Sequence, residues 1–270
     1  MVGSLSRCPT AVVAVPSGLS PRLGQVRVLA PATSADTSRL LDRPASRTAA
    51  PSDQRSRSLP ALAATLVILP VFLQAPWVRV APMAAALFTM ALVACGILLE
   101  RHQARRWQDV GALLVGFSGS WLGGALFWGW CRLHPAWHLP IEAFALPLAL
   151  AGLQSRWRLA CAFYLSSLLG TAATDAAMLL SGVMDLWPQV LSVPMPQAPA
   201  LLHTAALATL RPLPLAVVCT SALLLLALAA WLWSRGPAAR IAAITVATTL
   251  AVDGLFLAAC LAAPGLSGLI

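Results

Sequence analysis

Long apolar segments follow one another from residue 59 to residue 262, and they constrain the fold more than any other feature of this sequence. A helix needs about 20 apolar residues to cross the hydrocarbon core of a bilayer. The chain is 59% hydrophobic and only 10% charged, which is more apolar surface than a soluble core can absorb. We therefore predict an all-α membrane protein, a polytopic helical bundle embedded in the lipid bilayer.

Seven segments qualify as candidate spans on this length scale. The fourth is short and contains Pro147, so a tilted half-helix and a re-entrant segment are both open for it. The first is interrupted by Pro60, Pro70 and Gln74. The predicted spans are 59–76, 81–99, 110–131, 139–153, 159–183, 212–233 and 241–262.

Arginine and tryptophan positions predict the orientation of the bundle. All 18 basic residues are arginines, and they lie in the N-terminal region and in the segments that connect the spans. A cytoplasmic N-terminus places most of them on the cytoplasmic side, as the positive-inside rule requires. Most tryptophans fall near span ends, as in an aromatic belt. The net charge of +9 is explained by this orientation, so we predict no nucleic-acid partner.

Residues 1–58 differ from the rest of the chain. They are rich in Ser, Arg, Pro and Ala and show no hydrophobic periodicity. A disordered basic tail, an organelle transit peptide and a mis-assigned start codon are all open for this region. We predict a transmembrane domain at 59–263 and a short C-terminal tail at 264–270.

Two aspartates lie inside apolar spans, Asp175 in the fifth and Asp253 in the seventh. A carboxylate at membrane depth costs about 2.5–3.5 kcal/mol on insertion, so it is tolerated where it faces a bundle interior or a wet cavity. Thr171 lies one turn before Asp175, and Thr249 lies one turn before Asp253. We predict that both carboxylates face a common polar interior, where they bind a substrate or ion; a purely structural role is equally open.

His134, His138 and Glu142 recur at every fourth position at the outer mouth of the fourth span. This spacing suits metal ligands on one helical face, but Pro135 and Pro140 interrupt any regular helix there. No further strong ligand is present, so we predict no metal site. We add His138 and Glu142 to the candidate substrate- or ion-binding residues.

Small residues recur at four-residue spacing in the third and fifth spans. Gly119 and Gly123 form one such pair, and Gly170 lies in another. Patterns of this kind allow close approach of helices. Contact with other membrane proteins through these faces is one expectation.

Recognisable catalytic motifs are missing from the sequence. It contains no GxSxG, HExxH, Walker or Gly-rich dinucleotide pattern, and no serine or cysteine has a base at a recognisable spacing. We therefore assign no catalytic residue and no cofactor.

The runs GFSGSW, WHLPIEAFALP, FYLSSLLGTAATD and VDGLF resemble a cyanobacterial family of multi-pass membrane proteins labelled domain of unknown function 3120. The resemblance covers about residues 59–262, and the positions that match its motifs include His138, Glu142, Asp175 and Asp253. It implies a photosynthetic setting in a plasma or thylakoid membrane, and it carries no established activity.

Three functions are open at this point. The first is a non-enzymatic scaffold or assembly factor of a photosynthetic membrane. The second is a small transporter or proton- or ion-binding protein that uses the acidic residues. The third, ranked below both, is an intramembrane enzyme that acts on a lipid or isoprenoid. No inverted repeat is visible between the two halves of the chain, which weighs against the usual carriers.

Overall fold

The computed structural model of the chain describes residues 52–194 and 196–266. Within these residues the regular elements are all helical, as the sequence predicts. Most of the predicted basic tail, 1–58, and the end of the predicted C-terminal tail, 264–270, lie outside the described residues. The eleven α-helices of the described part are α1 Ser52–Leu69, α2 Ala75–Val80, α3 Pro82–Glu100, α4 Arg105–Leu126, α5 His138–Glu142, α6 Leu146–Gly152, α7 Arg158–Leu180, α8 Trp187–Ser192, α9 Ala198–Thr209, α10 Pro212–Trp233 and α11 Pro237–Ala262.

Six helical segments of the described chain are long and apolar enough to cross a membrane. Two of them are extended by π-helical turns, Pro70–Gln74 between α1 and α2 and Phe127–Cys131 after α4. Their ends agree with the predicted spans to within a few residues, because apolar length is read directly from the sequence. The six are Ser58–Val80, Pro82–Glu100, Arg105–Cys131, Arg158–Leu180, Pro212–Trp233 and Pro237–Ala262.

The predicted fourth span, 139–153, is not a continuous helix. Helix α5 gives way to a 3₁₀ turn at Ala143–Ala145, which is followed by α6. Pro147 lies in the first turn of α6, where its missing N–H is tolerated but where it cannot continue the preceding helix. Six of the seven predicted spans are therefore long continuous helices among the described residues, and the fourth is an interrupted segment, for which the sequence left a half-helix and a re-entrant segment open.

This interrupted segment still returns along the length of the bundle. A Cβ at Gly116 would meet the backbone of Ala160, and a Cβ at Gly119 would lie 2.9 Å from the ring of Tyr164, so α4 and α7 run in the same direction. The chain between them must therefore come back. It does so antiparallel to α7, through the pairs Gly152–Cys161, Ala145–Tyr164, Glu142–Thr171 and His138–Asp175.

The three glycines of the four-residue patterns pack against other segments of this chain. The atoms nearest to a Cβ built at Gly119, Gly123 and Gly170 belong to Tyr164, Glu142 and Thr249, all within 3.0 Å. These glycines allow the helices of this chain to approach each other. Contact of these helix faces with other membrane proteins stays a prediction.

Trp121 occupies the centre of the bundle and is fully buried. Its indole Nε1 donates a 2.8 Å hydrogen bond to the carbonyl of Ala85 in α3, and its own carbonyl accepts from Nε2 of Gln74. An indole N–H buried in apolar surroundings needs such a partner. The bond explains why this tryptophan lies at mid-depth while others lie near helix ends.

Arginines cluster at the end of the bundle where α4, α7 and α11 begin. Several stack on interfacial tryptophans; the guanidinium carbon of Arg235 lies 4.0 Å from the ring centre of Trp231. The contact is a cation–π interaction, and both arginine and tryptophan are common at the ends of membrane-spanning helices. The arginines of this end are Arg101, Arg105, Arg106, Arg156, Arg158, Arg235 and Arg240.

We expect this arginine-rich end to face the cytoplasm, because basic loops are retained on that side. Single cysteines at Ala104 and Asp185 would test the orientation in a chain whose native cysteines are replaced. Both positions are exposed, and they lie at opposite ends of the bundle. A membrane-impermeant maleimide should reach position 185 from outside and position 104 only after the membrane is opened. The reverse pattern would invert the topology, and labelling of both positions from one side would contradict the helix order.

Candidate functional site

His138 bridges two carboxylates that come from different helical segments. Its Nδ1 lies 3.0 Å from Oδ1 and 3.1 Å from Oδ2 of Asp175 in α7. Its Nε2 lies 3.4 Å from Oε1 of Glu142, one turn further along α5. All three side chains are largely withdrawn from the surface, with exposures of 21% for His138, 14% for Glu142 and 17% for Asp175. Two titratable side chains of the interrupted segment, His138 and Glu142, therefore lie next to Asp175 on the continuous helix α7.

Neighbouring side chains fix the position of Glu142 and His138. The hydroxyl of Thr171 donates a 2.8 Å hydrogen bond to Oε2 of Glu142. Tyr164 donates to the carbonyl of Glu142 and accepts from the backbone N–H of Ala145, so it holds the break between α5 and α6. The ring of Phe127, in the π-helical turn after α4, packs on the imidazole of His138 at a centroid distance of 4.2 Å.

Asp253 lies across α7 from this group and is bound to the same helix. Thr174 donates a 2.6 Å hydrogen bond to Oδ2 of Asp253. The approach of α11 to α7 is possible because Gly170 lies against Thr249, where a Cβ would come within 2.8 Å. Asp253 is partly buried, and its Oδ1 accepts no hydrogen bond from the described residues.

A cavity of about 480 Å³ joins these elements. It is bounded by residues from α1, α4, α5, α7, α8, α9, α10 and α11, and most of its wall is apolar. Six candidates from the sequence line it together: His138, Glu142, Thr171, Asp175, Thr249 and Asp253. Asp175 and Asp253 thus line the same cavity, and a role for them in binding stays a prediction.

The two threonines do not act on the aspartates of their own helices. Thr171 bonds Glu142 rather than Asp175, and Thr249 donates 3.1 Å to the carbonyl of Thr245 rather than to Asp253. A hydroxyl within a helix readily returns to the carbonyl four residues earlier, which removes it from its neighbour. Each threonine therefore lies one turn before the aspartate of its helix, as in the sequence, but its hydroxyl bonds another segment or the backbone.

His134 is separated from the other candidates. It is exposed at the start of the 3₁₀ turn Pro135–Trp137 and does not line the cavity. No group of three or more His, Cys, Asp or Glu side chains in the described part of the chain is arranged to hold a metal ion. His134, His138 and Glu142 therefore do not form a common ligand set in this structure.

Three residues of this region were missed at the sequence level: Gln74, Tyr164 and Thr174. Gln74 is 3% exposed and lines the cavity from the π-helical turn of the first span. Its position as a polar residue inside an apolar span is the sequence feature that indicates a buried partner or a cavity. Tyr164 is the one tyrosine of the chain, and Thr174 is adjacent to Asp175. Their role depends on contacts between helices, which no local pattern specifies.

The charged lining of the cavity is predominantly acidic. Among the described residues, the cavity is lined by three carboxylates, Glu142, Asp175 and Asp253, by the imidazole of His138 and by no arginine. A chain of titratable groups inside a membrane protein marks a site of proton or ligand binding by default.

Fold and cavity together define a polytopic helical membrane protein with a polar interior between its spans. The chain belongs to the family described as "Protein of unknown function (DUF3120)", whose family model matches residues 63–261. The match includes all six side chains named above, and it confirms the family that the sequence runs suggest. No curated protein and no solved structure gives a match to the chain.

Proposed function

We propose that this protein is a small membrane transporter that binds a solute and protons at the cluster of His138, Glu142, Asp175 and Asp253. One observation carries the proposal: four titratable side chains from three separate segments converge on one cavity between apolar helices. A structural ion pair alone would need no cavity beside it. Ionisable groups at membrane depth are costly, and their usual setting is a substrate or proton pathway.

The interrupted helix supports the same proposal. Transporter sites are commonly built where a transmembrane helix is broken, because the break frees backbone groups and permits movement. Here the break between α5 and α6 lies next to Glu142, and Tyr164 joins its two sides. Movement of α5 would separate His138 from Asp175, which couples the position of this segment to the protonation of the cluster.

Uptake by proteoliposomes tests the proposal. The full chain is reconstituted, and uptake of a radiolabelled amine, carboxylic acid and sugar is measured with and without an imposed pH gradient. Protein-free vesicles correct for passive entry. We expect gradient-dependent uptake of at least one compound, with at least a tenfold loss in Asp175→Asn.

Asp185→Asn is the matched control, because it makes the same chemical change at an exposed residue outside the cavity. It should transport as well as the unaltered chain. If none of the three compounds is taken up above background, or if Asp175→Asn transports normally, the transporter proposal is wrong.

The scaffold function is the second candidate. It is favoured by α10, because only 6% of the most apolar stretch of this helix is buried against the rest of the described chain. Most of the surface of α10 is therefore free to contact lipid or another membrane protein. Co-purification in mild detergent, with pigment monitored, distinguishes lipid from another membrane protein as the group that covers α10.

A photosynthetic setting and a plasma or thylakoid location belong to this proposal and rest on the resemblance. An enzyme acting on a lipid or isoprenoid ranks third.

A further inference from the structure

We propose that the cavity takes an organic cation with N–H donors and an apolar body, that is, a protonated amphipathic amine. This rests on the proposed binding role of the same cavity and adds the chemical class of its ligand. Four features of the cavity wall carry the inference: its charge, its open hydrogen-bond acceptors, its apolar surface and its size.

The charge of the wall favours a cation. Glu142, Asp175 and Asp253 contribute three carboxylates, and His138 is the one basic side chain that the described residues add to the lining. A single imidazole can balance at most one of these three carboxylates. In surroundings of low polarity, an uncompensated negative charge strongly favours a positive partner.

Two oxygen atoms of the wall are acceptors that take no hydrogen bond from the described residues. Gln74 is 97% buried, and its Nε2 is used by the carbonyl of Trp121, while its Oε1 accepts no hydrogen bond from the described residues. This oxygen faces Gly124, another lining residue, where a Cβ would lie 3.0 Å from it. Oδ1 of Asp253 is also without a donor. Because an oxygen acceptor pairs with an N–H or O–H donor, a ligand that donates hydrogen bonds fits these two atoms.

The remaining wall favours an apolar body on the ligand. Aromatic side chains contribute to it, among them Phe127, Trp128 and Trp187, and the rings of Trp128 and Trp187 lie 5.3 Å apart. Aromatic faces attract a cation as well as apolar surface. A volume of about 480 Å³ lies within the usual range for small organic ligands and is far larger than a bare ion needs.

A matched series of indole compounds tests the inference. Tryptamine, tryptophol and indole-3-propionate share one ring and differ in carrying an ammonium, a hydroxyl or a carboxylate. N,N,N-trimethyltryptammonium keeps the positive charge and removes the N–H donors. Each is titrated into the full chain in detergent, and the thermal unfolding midpoint is followed, because a ligand that binds only the folded state raises it.

Tryptamine should raise the midpoint in a concentration-dependent manner, and the three analogues should do so at least about tenfold less effectively, as expected for loss of one charged hydrogen bond. Asp253→Asn and Gln74→Leu should each weaken tryptamine binding by a similar factor. Asp185→Asn should leave it unchanged. Asp253→Asn preserves shape, so the comparison survives if Gln74→Leu fails to fold.

Equal or tighter binding of tryptophol or indole-3-propionate would overturn the cationic class, and equal binding of the trimethyl compound would overturn the requirement for N–H donors. Absence of binding by all four would overturn the inference as a whole. The uptake experiment separates this failure from that of the proposed function, because transport of the acid or the sugar alone would retain a transporter and reject an amine as its ligand.

Discussion

Replacement of Gly116 by leucine is expected to abolish the folded bundle, because α4 and α7 meet at this position without any space for a side chain. A Cβ there would lie 2.8 Å from the Cα of Ala160, and the clashing atoms belong to the backbone rather than to a flexible side chain. Overpacking of a core typically costs about 1–3 kcal/mol, and a contact that displaces a helix costs more. We expect a loss of at least about 3 kcal/mol in the free energy of unfolding.

Gly254→Leu provides the matched control for this change. Gly254 is also a helical glycine, but nothing lies within 4 Å of a Cβ built there. Size-exclusion chromatography after heating should show a monodisperse protein for Gly254→Leu and aggregated or absent protein for Gly116→Leu. Equal thermal stability of the two variants would contradict the parallel packing of α4 against α7.

The second large effect is expected at His138. His138→Leu leaves Asp175 and Glu142 close together without the imidazole that bonds both of them. Removal of one partner from a buried charged group costs about 3–5 kcal/mol, because the remaining charge is uncompensated. Simultaneous removal of a carboxylate should relieve part of this cost. We therefore expect His138→Leu/Asp175→Leu to be more stable than the sum of the two single changes predicts, with a coupling above about 1 kcal/mol.

The ion pair between Arg156 and Glu100 serves as the control cycle. Its charged atoms are 3.4 Å apart, and Arg156 is 70% exposed. An exposed pair of this kind contributes about 0–1 kcal/mol. Thermal unfolding of the two sets of variants in one detergent allows the comparison. Additive effects at His138 and Asp175 would show that their contact contributes nothing to the fold.

The course of the spans was predictable because it depends on apolar length alone. The predicted segment 212–233 and helix α10 coincide, and the others differ by a few residues. The sequence indicates that the fourth segment is short, but it does not specify the break at Ala143–Ala145. A proline marks where a helix can end, but the neighbouring chain decides how it continues. Here Tyr164, from α7, binds both sides of the break.

The sequence alone determined that this is a helical membrane protein, which segments are long and apolar enough to cross a bilayer, and which carboxylates have to avoid lipid. These properties follow from the cost of transferring each segment or side chain into hydrocarbon, and that cost is local. Tertiary structure decided that His138 lies between Glu142 and Asp175, that Thr174 rather than Thr249 bonds Asp253, and that Gln74 reaches the cavity. Such pairings depend on the rotation and register of packed helices, which are set by close contacts such as that of Gly170 with Thr249.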